Sequence, residues 1–475
     1  MVWIGNPRIV YALRGLKGLG KASLASLGAI AVFGMACPQP GSAQDAASPQ
    51  QVAPLEADAT LFQNVRIFNG KSANLSPPSN VLVRGNVIER ISPGVISADA
   101  GTRVVDGGGR VLMPGLIDNH WHTIFVRPTP QQLLTRDPSY SNLLAGAEAT
   151  ATLMRGFTTV RDLGGPAFSL KQAIDEGLVP GPRIYPSGTM ITVTSGHGDF
   201  RDKGDLPRVP GTLTRGEKLG GMSIADSPDE VRLRTREQLM QGASQIKLTA
   251  GGGVASPHSP LDVSTFTAEE IRAAVEAAEN WGTYVCVHAY TSAAIQRAIT
   301  AGVKCIEHGH LMDDATAKMI ADKGVWLSTQ PFVDLSPAAG LGPAEQAQLA
   351  QVVQGTDNLY KMVKKYRIKT AFGTDILFSP LLATRQGNFL IDMGRWFTPA
   401  ETLIMATSTN AELLRMSGKR NPYPAALGVV EPGAYADLLL VEGNPLENIR
   451  LVAEPEKNFL IIMKDGKIYK NALAR

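Results

Sequence analysis

The sequence predicts an α/β fold: a (β/α)8 TIM barrel carrying a composite β-sandwich domain built from the N- and C-terminal segments. Three observations predict it. Eight apolar or β-rich runs, near 113–122, 157–163, 183–188, 245–250, 284–290, 305–310, 326–332 and 369–376, are separated for the most part by helix-type segments. Short β-type runs with no helical period occupy about 59–112 and return in the last fifty residues. Polar residues suited to chemistry gather at the C-terminal ends of the central runs, where a barrel places its active site.

The first 43 residues differ from the rest. They hold Arg8, Arg14, Lys17 and Lys21, no acidic residue, an apolar stretch Ala22–Ala36, and small residues at Gly41-Ser42-Ala43. That order describes a secretory leader cleaved after Ala43, and so an exported protein, periplasmic or secreted. The apolar stretch is short for a membrane span of roughly 20 residues, so no stable span is expected after cleavage. Lipoprotein anchoring at Cys37 is a second reading, weakened by Gly34 three positions earlier. Without the leader's four basic residues the charge balance is 42 basic against 43 acidic, a net of −1. The mature chain therefore offers no electrostatic case for nucleic acid. Cys286 and Cys305, both in predicted strands, read as packing residues rather than a disulfide framework.

Residues 44–57 read as a linker and 58–112 as the first part of the sandwich, from runs such as ATLFQNVRIF and NVLVRGNVIERI. The barrel is assigned to 113–422 and the rest of the sandwich to 423–475, with ADLLLVEG and FLIIMKDGKIYKN as its strands. The two ends are joined because lone hairpins are marginal. Within the barrel, Thr267 and Glu270 form a capping box before a helix with Ile271, Ala274, Val275 and Ala278 on one face. Short amphipathic helices are expected at 292–302 and 313–324, and Thr398-Pro399 opens another.

The first run ends in Asp118-Asn-His120-Trp-His122, whose two-residue spacing points both imidazoles to one side of a strand. Two neutral imidazoles converging on a point suit a divalent metal. Lys247 lies inside the apolar run SQIKLTAGGG. Burial disfavours a charged amine, and a neutral amine can react with carbon dioxide to a carbamate able to bridge two metals. A lysine reaching the barrel mouth, or paired with an acid, fits the same position. The fifth run carries His288 and Tyr290, the sixth His308 and His310, and the eighth ends at Asp375. Five of the seven histidines thus fall at the ends of three runs, with His197 and His258 in loops. Chance would scatter them, which argues for ligands. The glycines 251–253 lack the Lys-Ser/Thr ending of a phosphate loop and more plausibly admit a close backbone approach.

These residues resemble the amidohydrolase superfamily. The match runs through Pro114-Gly-Leu-Ile-Asp-Asn-His120-Trp-His122, Lys247, His288, His308, Gly373-Thr-Asp375 and the stretch LGVVEPGAYADLLLVEGNPLENI, and covers essentially the whole mature chain. With Ser256-Pro257 and His288-Ala-Tyr290 it is most similar to the binuclear branch of Xaa-Arg and Xaa-Pro dipeptidases and ochratoxinase-type carboxypeptidases. The resemblance implies two divalent metals, usually zinc. One is held by His120, His122, the Lys247 carbamate and Asp375, the other by the carbamate, His288 and His308. It further implies hydrolysis of an amide by a metal-bridging hydroxide, with Asp375 as proton shuttle. Tyr290 or His197 would donate to the developing oxyanion, and Tyr290 equally suits a substrate carboxylate. His310 stands where relatives usually carry another residue; it and His258 are left as substrate-side or loop residues. Relatives of this kind often form homo-oligomers, up to octamers.

The reading is an enzyme releasing a C-terminal amino acid from a dipeptide or N-acyl amino acid, including an ochratoxin-type N-aroyl phenylalanine. The alternatives are a mononuclear hydrolase of a cyclic amide or imidazolone, and a catalytically silent barrel used for binding. A silent barrel typically loses ligands, and all six are present here. Specificity is expected from loops at 191–225 and 332–360.

Overall fold

The computed structural model describes residues 59–473, apart from 210, 257 and 336–340. The expected leader and linker lie outside the described residues. Among these, no helix is long and apolar enough to cross a membrane.

The chain begins with β1 (Ala59–Ile67), β2 (Ser79–Arg84), β3 (Val87–Ser92), β4 (Arg103–Asp106) and β5 (Val111–Pro114). It ends with β16 (Leu438–Val441), β17 (Phe459–Lys464) and β18 (Lys467–Asn471), after the barrel strands β6 to β15 given below. The end strands form one sheet in the order β18-β17-β16-β5-β1-β2-β3, with β4 also on β1. The link is a corner in β1. Asn64 takes φ 52°, and the register shifts between Phe62 and Val65. Residues before the corner pair with β2 and β4, and Arg66 and Ile67 pair with β5. Such a bulge lets one strand turn from one half of a sandwich into the other.

Alternation along a strand decides what each face buries. Leu438 and Leu440 of β16, with Ile461 and Met463 of β17, pack on Phe62, Val81 and Ile88 inside the folded sheet. Leu439, Val441, Phe459 and Ile462 point the other way, into a core shared with Leu153 and Phe157 of the barrel. A buried ion pair ties the same faces together: Arg183 Nε donates to Asp437 Oδ2 at 2.9 Å.

The barrel strands are β6 (Leu116–Trp121), β7 (Phe157–Asp162), β8 (Arg183–Pro186), the two-residue β9 (Ile191–Thr192) and β10 (Ser223–Ile224), β11 (Ile246–Thr249), β12 (Val285–Thr291), β13 (Cys305–Leu311), β14 (Trp326–Thr329) and β15 (Thr370–Phe372). Each of the eight expected runs contributes a barrel strand. β6-β7-β8 form one parallel set and β10-β9-β11-β12-β13-β14-β15 the other. The two sets meet where Ser244 N–H donates to the Pro186 carbonyl (2.8 Å), and again where Asp375 N–H donates to the His120 carbonyl (2.8 Å).

Three expectations are corrected. The first run is not one strand: β5 joins the end sheet and β6 the barrel, with a break at Gly115, where a Cβ would lie 2.1 Å from Thr158 Oγ1. The short β9 and β10 were not foreseen, being too brief to show a period. Much of 332–360 is not a loop but the start of a 24-residue helix, Pro343–Tyr366. Proline at its first turn starts that helix, and Gly355 lets it approach β13, since a Cβ there would lie 2.1 Å from the His310 carbonyl oxygen. The capping box at Thr267 forms as expected, and the helix opened by Thr398-Pro399 forms too, with Glu401 completing a second box.

Candidate metal centre

Strand alternation also selects the residues that enter the barrel. Ile246, Leu248, Val285, Val287 and Ile306 face outward onto the helix Ala268–Asn280 and its neighbours. Lys247 and Cys286 pair across β11 and β12, as do Thr249 and His288, on the inward side. In β13, Cys305 and Glu307 occupy the same inward phase, so regular alternation would turn His308 outward. The backbone changes hand there instead: His308 has φ 79° and Gly309 φ 73°, and the pairing with β12 is shifted after Ala289. Left-handed backbone at a non-glycine residue is costly and concentrates at functional sites. Asp375, just past β15, is another such case at the cleft, with φ 55°.

The result is a solvent-open cleft at the C-terminal ends of the strands, lined by His120, His122, Lys247, His288, His308 and Asp375. Asp375 Oδ1 lies 3.2 Å from both His120 Nε2 and His122 Nε2, and Oδ2 lies 3.9 Å from His308 Nδ1. The His308 ring stands 4.9 Å from His120 and 4.3 Å from His288. Burial lowers the His120 pKa to about 4 and holds His288 and His308 well below the usual histidine value. These imidazoles are therefore neutral near pH 7, with lone pairs to give. Burial alone would raise Asp375, but His120, His122 and Lys247 outweigh it and keep the carboxylate ionised.

This donor set fits a divalent cation. Ligand atoms of His120, His308 and Asp375 lie within 4.8 Å of one another. His120 Nε2, on the Asp375 side of its ring, is buried without a hydrogen-bond partner, a costly state that a metal relieves. His288 Nε2 lies 2.8 Å from the Gly252 carbonyl, which can only accept, so Nδ1 carries that ring's lone pair. The Lys247 side chain is buried in the cleft lining, close enough to Asp375 to lower that carboxylate's pKa.

The other expected residues divide. Tyr290 and His197 line the same cleft. The Tyr290 ring stands 4.9 Å from both His288 and His308, and burial raises its pKa, so the hydroxyl keeps its proton. His197 stacks on His288 at 4.1 Å. His310 is buried behind this layer, stacked on Phe332 at 5.3 Å, with Nε2 donating to the Gln330 carbonyl at 3.0 Å. It is not among the cleft-lining residues, and neither is His258, whose backbone carbonyl accepts from Ser195 Oγ at 2.7 Å.

Three residues not singled out from the sequence hold the candidate ligands in place. The Gln330 side-chain amide lies 2.8 Å from His308 Nδ1 and 3.2 Å from His120 Nδ1. Glu307 stands 3.1 Å from His120 Nδ1 and accepts from Arg161 Nη2 at 2.7 Å, with Glu307 and Arg161 both fully buried. Burial would raise the Glu307 pKa, and Arg161 overrides it. Two rules could have found them. Arg161 and Glu307 are charged residues inside apolar strands, as Lys247 is, and Gln330 is the polar end of the seventh run.

Comparison with known proteins agrees with this geometry. The model of the amidohydrolase family matches residues 111–469. Ochratoxinase of Aspergillus niger is 31% identical over 373 residues, which cover 76% of each chain. The solved structure of an amidohydrolase superposes with a TM-score of 0.80 at 36% identity, covering 87% of this chain and 100% of that one. A prolidase complexed with N-methylphosphonate-L-proline superposes equally, TM-score 0.80, at 33% identity and the same coverage. The chain belongs to the amidohydrolase family and is a hydrolase of amide or peptide bonds.

Proposed function

We propose that the protein is a binuclear metal-dependent amidohydrolase that releases a C-terminal amino acid from a dipeptide or an N-acyl amino acid. The observation that carries this reading is the convergence of six candidate ligands, with His197 and Tyr290, on one cleft. His120, His122, a carboxylated Lys247 and Asp375 would hold one metal; the same carboxylated lysine, His288 and His308 would hold the other. Zinc suits these ligands. When bound, the metals supply Lewis acidity to the amide carbonyl and acidify water. The buried place of Lys247 on β11, in the lining of the same cleft, supports its carboxylation.

Asp375, ionised and central, takes the proton of the attacking water and returns it to the leaving amine. The Tyr290 hydroxyl and an N–H of His197 donate to the oxygen that gains charge. Ochratoxinase and the prolidase holding a proline phosphonate are the relatives that support a substrate with an amino acid on its leaving side. The leader at 1–43 supports export to the periplasm or medium, and relatives of this type support a homo-oligomer. Recovery of exported protein beginning at Gln44 tests the export reading; a chain retained uncleaved in the cytoplasm rejects it.

A one-metal enzyme opening a cyclic amide or imidazolone is favoured by one observation, the tight grouping of His120, His308 and Asp375. Metal analysis combined with an amino-acid release assay over dipeptides and N-acyl amino acids separates the two. The binuclear reading expects two metals per chain, free amino acid released, and loss of activity on chelation and in Lys247→Ala. One metal per chain with ring opening of small heterocycles would replace it.

A further inference from the structure

We propose that Ser256 is a positioning residue that fixes His197 as its Nε2–H tautomer and so presents an N–H donor to the cleft. The proposal rests on the reading of His197 as a donor to the reacting oxygen.

Ser256 is 1% exposed. Its Oγ accepts from Gly198 N–H at 2.9 Å and lies 2.8 Å from His197 Nδ1. The hydroxyl has one proton to place. Gly198 N–H cannot accept it, and among the described residues the one acceptor hydrogen-bonded to this oxygen is His197 Nδ1. The reverse arrangement, with Nδ1–H donating to Oγ, would leave a buried hydroxyl proton unpaired, which is costly. Ser256 therefore donates, Nδ1 is unprotonated, and the neutral ring carries its proton on Nε2.

The surroundings hold the ring for this task. It is stacked on His288 at 27°. Gly253 admits it: a Cβ there would lie 1.9 Å from His197 Nδ1. Asp199 braces the segment that carries His197, accepting from Ser195 N–H at 2.9 Å and from Arg201 Nε and Nη2 at 2.8 and 2.7 Å.

The loop after β11 thus acts on two histidines in opposite senses. The Gly252 carbonyl takes the N–H of His288 and leaves that ring's lone pair for the site. Three residues beyond Gly253, the Ser256 hydroxyl takes the lone pair of His197 and leaves that ring's N–H for the cleft. One stretch of chain assigns one ring to be a ligand and its stacked neighbour to be a proton donor.

The test is a double-mutant cycle on the metal-loaded enzyme with amino-acid release as the assay, joined to 15N spectra of histidine-labelled protein. Ser256→Ala should lower kcat by about 10- to 100-fold, part of the loss typical for an oxyanion donor, with KM much less affected. Metal content should be unchanged, and Ser256→Thr, which keeps the hydroxyl, should recover most of the rate. In a His197→Gln background, where no tautomer remains to be set, Ser256→Ala should cost little more. Equal losses in both backgrounds would mean a merely structural serine and overturn the proposal. The spectra should show His197, assigned by its absence in His197→Gln, with an unprotonated Nδ1 and a protonated Nε2. A protonated Nδ1 overturns the proposal whether or not any amide is cleaved. Absence of turnover with the expected nitrogen pattern would reject the proposed hydrolysis and leave the tautomer assignment standing.

Discussion

Glu307 shows what a single residue contributes beneath the site. It carries a full charge in the barrel interior, neutralised by Arg161 at 2.7 Å and set 3.1 Å from His120. Removing one partner of such a pair strands the other charge. Glu307→Ala should therefore destabilise the protein by about 3–5 kcal/mol, read as a shifted urea midpoint. An unchanged midpoint would show Arg161 to be solvated or paired elsewhere. The sign that exposes Glu307 is in the sequence: a charge within CIEHGH, as Lys247 is a charge within SQIKLTA. The role of Ser256 has no such sign. It depends on a contact with His197 across 59 residues of chain, which local pattern does not encode.

Among elements, β13 departs furthest from its sequence pattern. Spacing alone correctly placed His308 and His310 near a strand end, yet their alternation predicts the same orientation for both. The left-handed His308-Gly309 step brings His308 to the centre, while His310 packs against Phe332 outside the cleft lining. Backbone handedness answers to packing from both sides of the strand, so periodicity misses it. The helix Pro343–Tyr366 closes on this bulge through Gly355. Gly355→Ala would force a methyl to 2.1 Å from the His310 carbonyl oxygen. It should cost about 1–3 kcal/mol by overpacking and displace β13. Melting temperature and metal affinity should fall together; a fall in stability with metal affinity intact would separate the helix from the site.

Across the whole molecule, the end sheet and the barrel behave as one packed body. Arg183 of β8 reaches Asp437 and Asp465 of the sheet and lies over Tyr435 at 3.9 Å. Arg183→Met should lower stability by about 3–5 kcal/mol through the buried carboxylate it abandons. One cooperative transition at a lower midpoint is expected; two resolved transitions would mean that sheet and barrel unfold separately. Metals bound only by the folded chain add stability by mass action, about 2.7 kcal/mol per site at a hundredfold excess over Kd. Chelation should accordingly lower the melting temperature as well as abolish hydrolysis. Loss of activity with no change in melting would place the metals away from this folded centre.

The sequence by itself determined the eight longer barrel strands, the pairing of the two chain ends, and the residue types at the strand ends. Those properties follow from local periodicity and from the cost of burying charge, which each segment carries within itself. Only the tertiary structure decided which imidazoles share the cleft, where the first run breaks, and which nitrogen of His288 and His197 keeps its proton. Those outcomes depend on contacts between segments far apart in the chain: the bulge in β13, the steric demand at Gly115, and the hydrogen bonds from the loop after β11.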